Sequence, residues 1–171
     1  MSLNTSISDV FPQKMIEAAG ADWNLSGEGV FSWSVFKLYR ARLFVSGQCF
    51  DAKQPFVLDL SYLRTLSAQQ IVSTSMDELK RLRDPSAQAL IAWSQALMNI
   101  VPDVTLGDRL IGWFRPGTGV QFYSSTQSLG SVNDPVFSEA FAAIWLDVQT
   151  RSPGLRLALL GNTCVTPSVG S

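Results

Sequence analysis

Histidine is absent from this chain of 171 residues. Its side chain is the one that most readily exchanges a proton near neutral pH, and it is also the commonest metal ligand. Without it, Ser-His-Asp catalysis, Cys-His catalysis and zinc sites of the HExxH type are all excluded. We therefore expect no metal site and no other cofactor.

Cysteine is scarce, with only Cys49 and Cys164 in the sequence. The two lie far apart and form no CxxC pair, so a structural zinc site is not expected. Two interpretations remain open: one disulfide bond in an oxidising compartment, or two small buried hydrophobic residues.

Charge of either sign is also limited. Thirteen lysines and arginines stand against fourteen acidic residues, which leaves a net charge of −1. This balance gives no attraction for a phosphate backbone, so nucleic acid is not an expected partner. The longest uninterrupted apolar run has seven residues, Ala140 to Leu146, which is too short for a transmembrane segment.

The length and the hydrophobic content of 46% predict one globular domain, over residues 9–165. No repeat or low-complexity linker divides it. The ends, residues 1–8 and 166–171, consist mainly of small and polar residues and are predicted to be loose termini.

Three strands are predicted in the first part of the chain, over Trp23–Trp33, Val35–Val45 and Phe56–Leu60. Ser67 and Gln70 then have the spacing of a capping box, which predicts the start of a helix. Pro85 suits the first turn of a second helix, whose apolar residues continue at helical spacing to Val101.

The second half predicts a hairpin of Leu106–Phe114 and Val120–Ser125, followed by a helix that Asp134 caps and Pro135 starts. A short last helix covers Leu155–Leu160. Strands and helices thus alternate in pairs, which predicts an α+β fold with an antiparallel sheet.

Several short motifs, in this order and spacing, resemble the bacterial branch of the chalcone isomerase-like family. They are Phe36–Val45, Ser61–Arg64, Gly107–Arg109, Pro116–Gly119, Pro135–Phe137, Ile144–Leu146 and Leu155–Gly161. The resemblance implies an open-faced antiparallel sheet with helices packed on one face. Plant chalcone isomerases and fatty-acid-binding relatives share this fold.

The catalytic positions of the plant enzymes are not matched. Residues 25–33 contain no arginine, Tyr39 stands where the family has a threonine, and Phe122 stands where it has a tyrosine. An enolate oxygen needs aimed hydrogen-bond donors, which Phe122 does not provide. Plant-type chalcone isomerase activity is therefore not expected.

Five residues are candidates for binding a ligand in the family's cleft: Lys37, Tyr39, Trp33, Trp113 and Phe122. Lys37 lies two residues from Tyr39, hence on the same strand face, and could meet an acyl carboxylate. The three other aromatic residues would line an apolar pocket, although they would fill a core equally well. The bulk of Tyr39 predicts a small or closed cavity.

The first hypothesis is a non-catalytic domain that binds a small apolar molecule or an acyl chain. A second is an isomerase or lyase-type enzyme that pairs Tyr39 or Tyr123 with Lys37 or an arginine. A third is a periplasmic structural or interaction protein with a filled cleft. The polar start of the chain and the resemblance predict a periplasmic location after removal of a leader, with the cytoplasm as the alternative.

Overall fold

A computed structural model describes residues 10–161, and within them six strands form one antiparallel sheet. The strands are β1 (Asn24–Trp33), β2 (Phe36–Val45), β3 (Phe56–Tyr62), β4 (Arg109–Arg115), β5 (Gly119–Tyr123) and β6 (Ser128–Val132). The helices are α1 (Gln13–Ala19), α2 (Ala68–Arg83), α3 (Ala87–Met98), α4 (Pro135–Leu146) and α5 (Pro153–Leu160).

The strands follow one another across the sheet in chain order, and each pairs antiparallel with the next. The connection from β3 to β4 carries α2 and α3, and the chain after β6 supplies α4 and α5. The predicted α+β class and antiparallel open-faced sheet are confirmed.

The main core lies between one face of the sheet and helices α2 to α5. Because neighbouring residues of a strand point to opposite faces, Leu43, Leu58 and Phe114 face these helices, whereas Phe44 and Val57 face away from them. The four helices meet the sheet through large apolar side chains, among them Leu79, Leu97, Phe137, Phe141, Trp145 and Leu159.

A second, smaller core lies on the opposite face of the sheet, under the short helix α1. Helix α1 covers Phe44, Val57 and Ile111 there, and buries Met15 completely. The sequence analysis missed this short helix, which follows Pro12 and has no side-chain cap.

Helix α5 packs against β1 at a distance that only glycine allows. A Cβ atom on Gly27 would stand 1.9 Å from the carbonyl oxygen of Ala158, and one on Gly29 would stand 2.8 Å from the side chain of Leu155. The glycines of β1 are therefore the reason why this end of the chain can close on the sheet.

Asp59 is fully buried in β3 and is neutralised from both neighbouring strands. Arg42 and Arg109 each donate hydrogen bonds to its carboxylate, with Arg109 Nε at 3.0 Å. Asp108 precedes Arg109 in the chain, but the partner of Arg109 is Asp59. Asp108 instead accepts a hydrogen bond from the backbone N–H of Thr105 and stabilises the turn.

Two predicted helix starts are confirmed. Ser67 and Gln70 form both bonds of the capping box, and Asp134 accepts from the backbone N–H groups of Val136 and Phe137. Pro85 does not lie in a helical turn, because Ser86 caps α3 and the helix begins at Ala87. Strand β6 was missed, since its small and polar sequence around Gly130 is typical of a turn.

Cys49 is exposed in the loop between β2 and β3, so it is not the buried hydrophobic residue of the second interpretation. Cys164 and the predicted loose termini 1–8 and 166–171 lie outside the described residues, and the domain limits 9–165 stay a prediction. In residues 10–161, no helix combines the length and apolar character that crossing a bilayer requires.

Candidate functional site

An apolar cavity lies between the helix-facing side of the sheet and helices α2 and α4, with a volume of about 120 Å³. This is below the range of roughly 300–1,000 Å³ that is typical of pockets for drug-sized ligands. The strands line it with Phe31, Trp33, Leu38, Tyr39, Leu60, Tyr62 and Leu110, and α4 adds Phe141, Ile144 and Trp145. Leu66, the α2 residues Gln70, Ile71, Thr74, Ser75 and Glu78, and Arg151 complete the lining.

Helix α2 presents its polar side chains to the cavity because of their spacing. Gln70, Thr74 and Glu78 lie four residues apart and therefore on one face of the helix. Ile71 and Ser75 lie beside them, and Ser75 Oγ donates to the backbone carbonyl of Ile71 at 2.8 Å. The cavity thus has an apolar sheet side and a partly polar helix side.

Tyr39 and Trp145 join the two sides of the cavity. The Nε1 of Trp145 donates a hydrogen bond to the Tyr39 hydroxyl at 2.9 Å, and both side chains are buried. Phe31 stacks on the Tyr39 ring at 5.1 Å, and Tyr62 meets it edge to face at 5.7 Å. These contacts fix the Tyr39 ring and limit the free volume.

A cluster of charges borders the cavity beside Trp33. Arg151 donates its Nε to Glu78, and Arg81 donates to the other Glu78 oxygen, with its Nη2 at 2.7 Å. The guanidinium of Arg151 also lies over the Trp33 ring, 5.2 Å from the ring centroid. Two cations around one carboxylate leave this border positively charged.

Arg151 keeps donors for a ligand. Among residues 10–161 its two terminal nitrogens make no hydrogen bond, and about half of the side chain is exposed. Burial alone would raise the pKa of the Glu78 carboxyl, but the hydrogen bonds and charges of Arg81 and Arg151 outweigh burial and hold that pKa below its usual range. Glu78 is therefore ionised at neutral pH and holds Arg151 at the border of the cavity.

The phenols of the cavity are poor acids. Burial raises the pKa of Tyr39 far above its usual value, against the smaller opposite effect of the hydrogen bond from Trp145. Burial, followed by the proximity of Tyr39, raises the pKa of Tyr62 as well. On the opposite face, burial also raises the pKa of Tyr123. None of these phenols is prepared to act as a base near neutral pH.

The structure brings two of the five candidate residues to this cavity, Trp33 and Tyr39. Lys37 is exposed and does not line it, because the register of β1 and β2 shifts between Phe31 and Ser32 and the simple alternation fails there. The cation that borders the cavity is Arg151.

The other two candidates lie elsewhere. Trp113 belongs to the second core on the α1 side of the sheet, where the guanidinium of Arg115 lies 4.7 Å from its ring. Phe122 faces the helices but packs on Phe141 within the core, 5.8 Å between ring centroids. It stands three strands from Tyr39, which is about 14 Å at the usual spacing of strands, and does not face it across a cleft.

Sequence reasoning missed Arg151 and Glu78. It also missed that Trp145 both lines the cavity and donates a hydrogen bond to Tyr39. Arg151 lies in the connection between α4 and α5, where no strand or helix pattern gives its direction. The spacing of Gln70, Thr74 and Glu78 on α2 was a usable signal for a polar helix face. Among the described residues no three His, Cys, Asp or Glu side chains form a group that could hold a metal ion.

Comparisons with known proteins identify the family and support the fold. The sequence model of a family described as chalcone isomerase-like matches residues 4–161. A protein of Haemophilus influenzae described as uncharacterized is 26% identical over 146 residues, which cover 84% of this chain and 70% of that protein. The crystal structure of a fatty-acid binding protein of Arabidopsis thaliana superposes with a TM-score of 0.65 at 11% identity, covering 82% of this chain and 88% of that one.

Proposed function

Because the chain belongs to the chalcone isomerase-like family, we propose that it binds a small apolar molecule with an acidic end, of the acyl-chain class, in the cavity between the sheet and helices α2 and α4. The observation that carries the proposal is an apolar cavity bordered by a guanidinium whose terminal nitrogens are unused within residues 10–161. A carboxylate is the natural acceptor for such a pair of donors.

Two further observations support this proposal over its rivals. The cleft retains free volume in spite of Tyr39, which does not favour a structural protein with a filled cleft. The raised pKa values of Tyr39 and Tyr123 do not favour an acid–base enzyme, which needs a group that titrates near neutral pH. The fatty-acid binding protein of similar fold supports an acyl ligand.

The size of the cavity sets an expectation about the ligand. At about 120 Å³ it approaches the roughly 150 Å³ of an engineered protein cavity that holds benzene. Short acyl chains therefore fit with little change, whereas longer chains require Trp33 and Arg151 at the border to move. Both side chains are about half exposed, and their movement would break the hydrogen bond from Arg151 to Glu78 and the contact of Arg151 with the Trp33 ring.

Calorimetric titration with fatty acids from butyrate to palmitate, and with the alcohols of equal length, tests the proposal. We expect binding of the acids, and Arg151→Gln should weaken it about tenfold, the loss of one charge-assisted hydrogen bond worth roughly 1.5 kcal/mol. The affinity for the alcohols should change little. Arg81→Gln is the matched control, since Arg81 bonds the same carboxylate but does not line the cavity.

If no acid or alcohol of any length produces heat or raises the melting temperature, the binding proposal is wrong. If Arg151→Gln weakened the binding of acids and alcohols equally, the proposed contact between Arg151 and the carboxylate would be wrong, but the proposal that the cavity binds a ligand would stand.

A further inference from the structure

The turn between β1 and β2 exposes three large apolar side chains within four residues. Trp33 is 47% exposed, Val35 is 84% exposed and Phe36 is 52% exposed. Trp33 pairs with Phe36, so Ser34 and Val35 form a two-residue turn at the tip of the hairpin. We call residues 33–36 the hairpin tip.

The residues of this turn are unusual for their position. A two-residue hairpin turn normally contains Gly, Asn or Asp, which tolerate a positive φ and prefer water. Here Ser34 adopts φ 56°, in the left-handed region, and Val35 points an apolar side chain to solvent. The composition gives the fold itself no advantage, which points to a contact outside the described chain.

Cations surround the hairpin tip. The guanidinium of Arg64 lies 4.5 Å from the Phe36 ring centroid, that of Arg151 lies over Trp33, and Lys37 follows directly in the chain. No acidic residue occurs between Val30 and Arg42, and Glu78 is already bonded by Arg81 and Arg151. The tip is therefore positive although the whole chain carries a net charge of −1.

The hairpin tip also adjoins the cavity. Trp33 belongs to both, and Leu38, two residues beyond Phe36, lines the cavity as well. An apolar ligand that left a bilayer at this point would reach the cavity without crossing bulk water. This continuity supports a lipid partner and rests on the proposed function, whereas the exposed apolar side chains and the cations of the hairpin tip do not.

We propose that the hairpin tip docks on the surface of a bilayer that contains anionic lipids. Trp33, Val35 and Phe36 would enter the boundary between headgroups and acyl chains, while Lys37, Arg64 and Arg151 meet the headgroup phosphates. A protein partner is less well matched, because a specific protein interface needs about 800 Å² on each side and one turn supplies only a small part of that area. The docking does not require that the cavity binds a ligand.

Sedimentation of the ligand-free protein with vesicles tests the docking. We expect co-sedimentation with vesicles of phosphatidylcholine and phosphatidylglycerol, several-fold weaker binding to phosphatidylcholine alone, and weakening by salt. Val35→Asn and Phe36→Thr should each reduce binding several-fold, and Lys37→Gln should remove part of the preference for anionic vesicles. Val136→Asn is the matched control, since Val136 is 64% exposed in the first turn of α4, the helix whose last turn borders the cavity.

Absence of binding to both vesicle types, or equal binding by Val35→Asn and the unaltered protein, would overturn the proposal. Self-association in sedimentation velocity that Val35→Asn abolishes would also overturn it, because a second copy would then cover the tip. Circular dichroism shows whether the variants remain folded. Failure here with acyl binding intact in calorimetry would leave the proposed function standing, and the reverse result would leave only the docking.

Discussion

Tyr39 is the residue that determines most about the cavity. Its ring lies on the helix-facing side of β2, and its hydroxyl accepts the one hydrogen bond that the Trp145 indole donates among residues 10–161. The same side chain therefore reduces the volume available to a ligand and anchors α4 to the sheet.

Replacing Tyr39 with phenylalanine should lower the free energy of unfolding by about 1–3 kcal/mol, because the buried Trp145 Nε1 then lacks an acceptor. Urea denaturation measures this. The apolar lining barely changes, so the affinity for an apolar ligand should be retained. Tyr123→Phe serves as the control, since its hydroxyl makes no hydrogen bond within residues 10–161, and an equal loss in both variants would contradict the role of the Tyr39 hydroxyl.

Single residues of the site could be predicted only where a regular strand positioned them. Tyr39 was found because the resemblance placed it in the cleft and its pairing with β3 is regular from Tyr39 onward. Lys37 was misplaced because the register shift beside it is not encoded in the alternation of the strand. Arg151 was missed because a connection between two helices gives no direction to a side chain before the helices are packed.

At the scale of elements, helix α4 depends on the residue that caps its N-terminus. Asp134 caps the helix and also accepts a hydrogen bond from the Trp93 indole at 2.9 Å, which links α4 to α3. Asp134→Ala should therefore cost more than the roughly 1 kcal/mol of an ordinary N-cap. Asp134→Asn keeps the cap and loses the charge, so an intermediate loss is expected in thermal denaturation.

The pKa of Asp134 gives the pH dependence of this link. The hydrogen bond from Trp93 holds the pKa below its usual range, with the backbone N–H groups of Phe137 and Val136 adding to it and burial opposing it. A carboxyl whose pKa is lowered by folding stabilises the protein above its unfolded pKa, and this is lost as the pH falls through the folded pKa. The difference between Asp134 and the Asn variant should shrink below about pH 4, and a constant difference would contradict the argument.

The elements themselves were largely predictable, since strong local signals mark them. The capping box at Ser67 and the Asp134-Pro135 pair fixed two helix starts within a residue. Helix α1 and strand β6 were not predicted, because their short sequences gain stability from contacts with the sheet rather than from local conformational preference. Secondary-structure propensities do not include such tertiary contacts.

At the scale of the whole molecule, the hairpin tip, Arg151 and the cavity lie together at one end of the sheet. The other face carries the α1 core and the buried Asp59 cluster, which stabilise the sheet on the side away from the cavity. A location in the periplasm stays a prediction.

The central claim, that an acyl ligand occupies the cavity between the sheet and helices α2 and α4, is tested most directly by photo-crosslinking. A fatty acid that carries a diazirine in its chain is bound, irradiated, and its attachment sites are mapped by mass spectrometry. We predict labelling of cavity residues such as Ile71 and Ile144, which excess unlabelled fatty acid suppresses. Labelling confined to the α1 face around Phe11 and Trp113, or labelling that competitor does not reduce, would contradict the account.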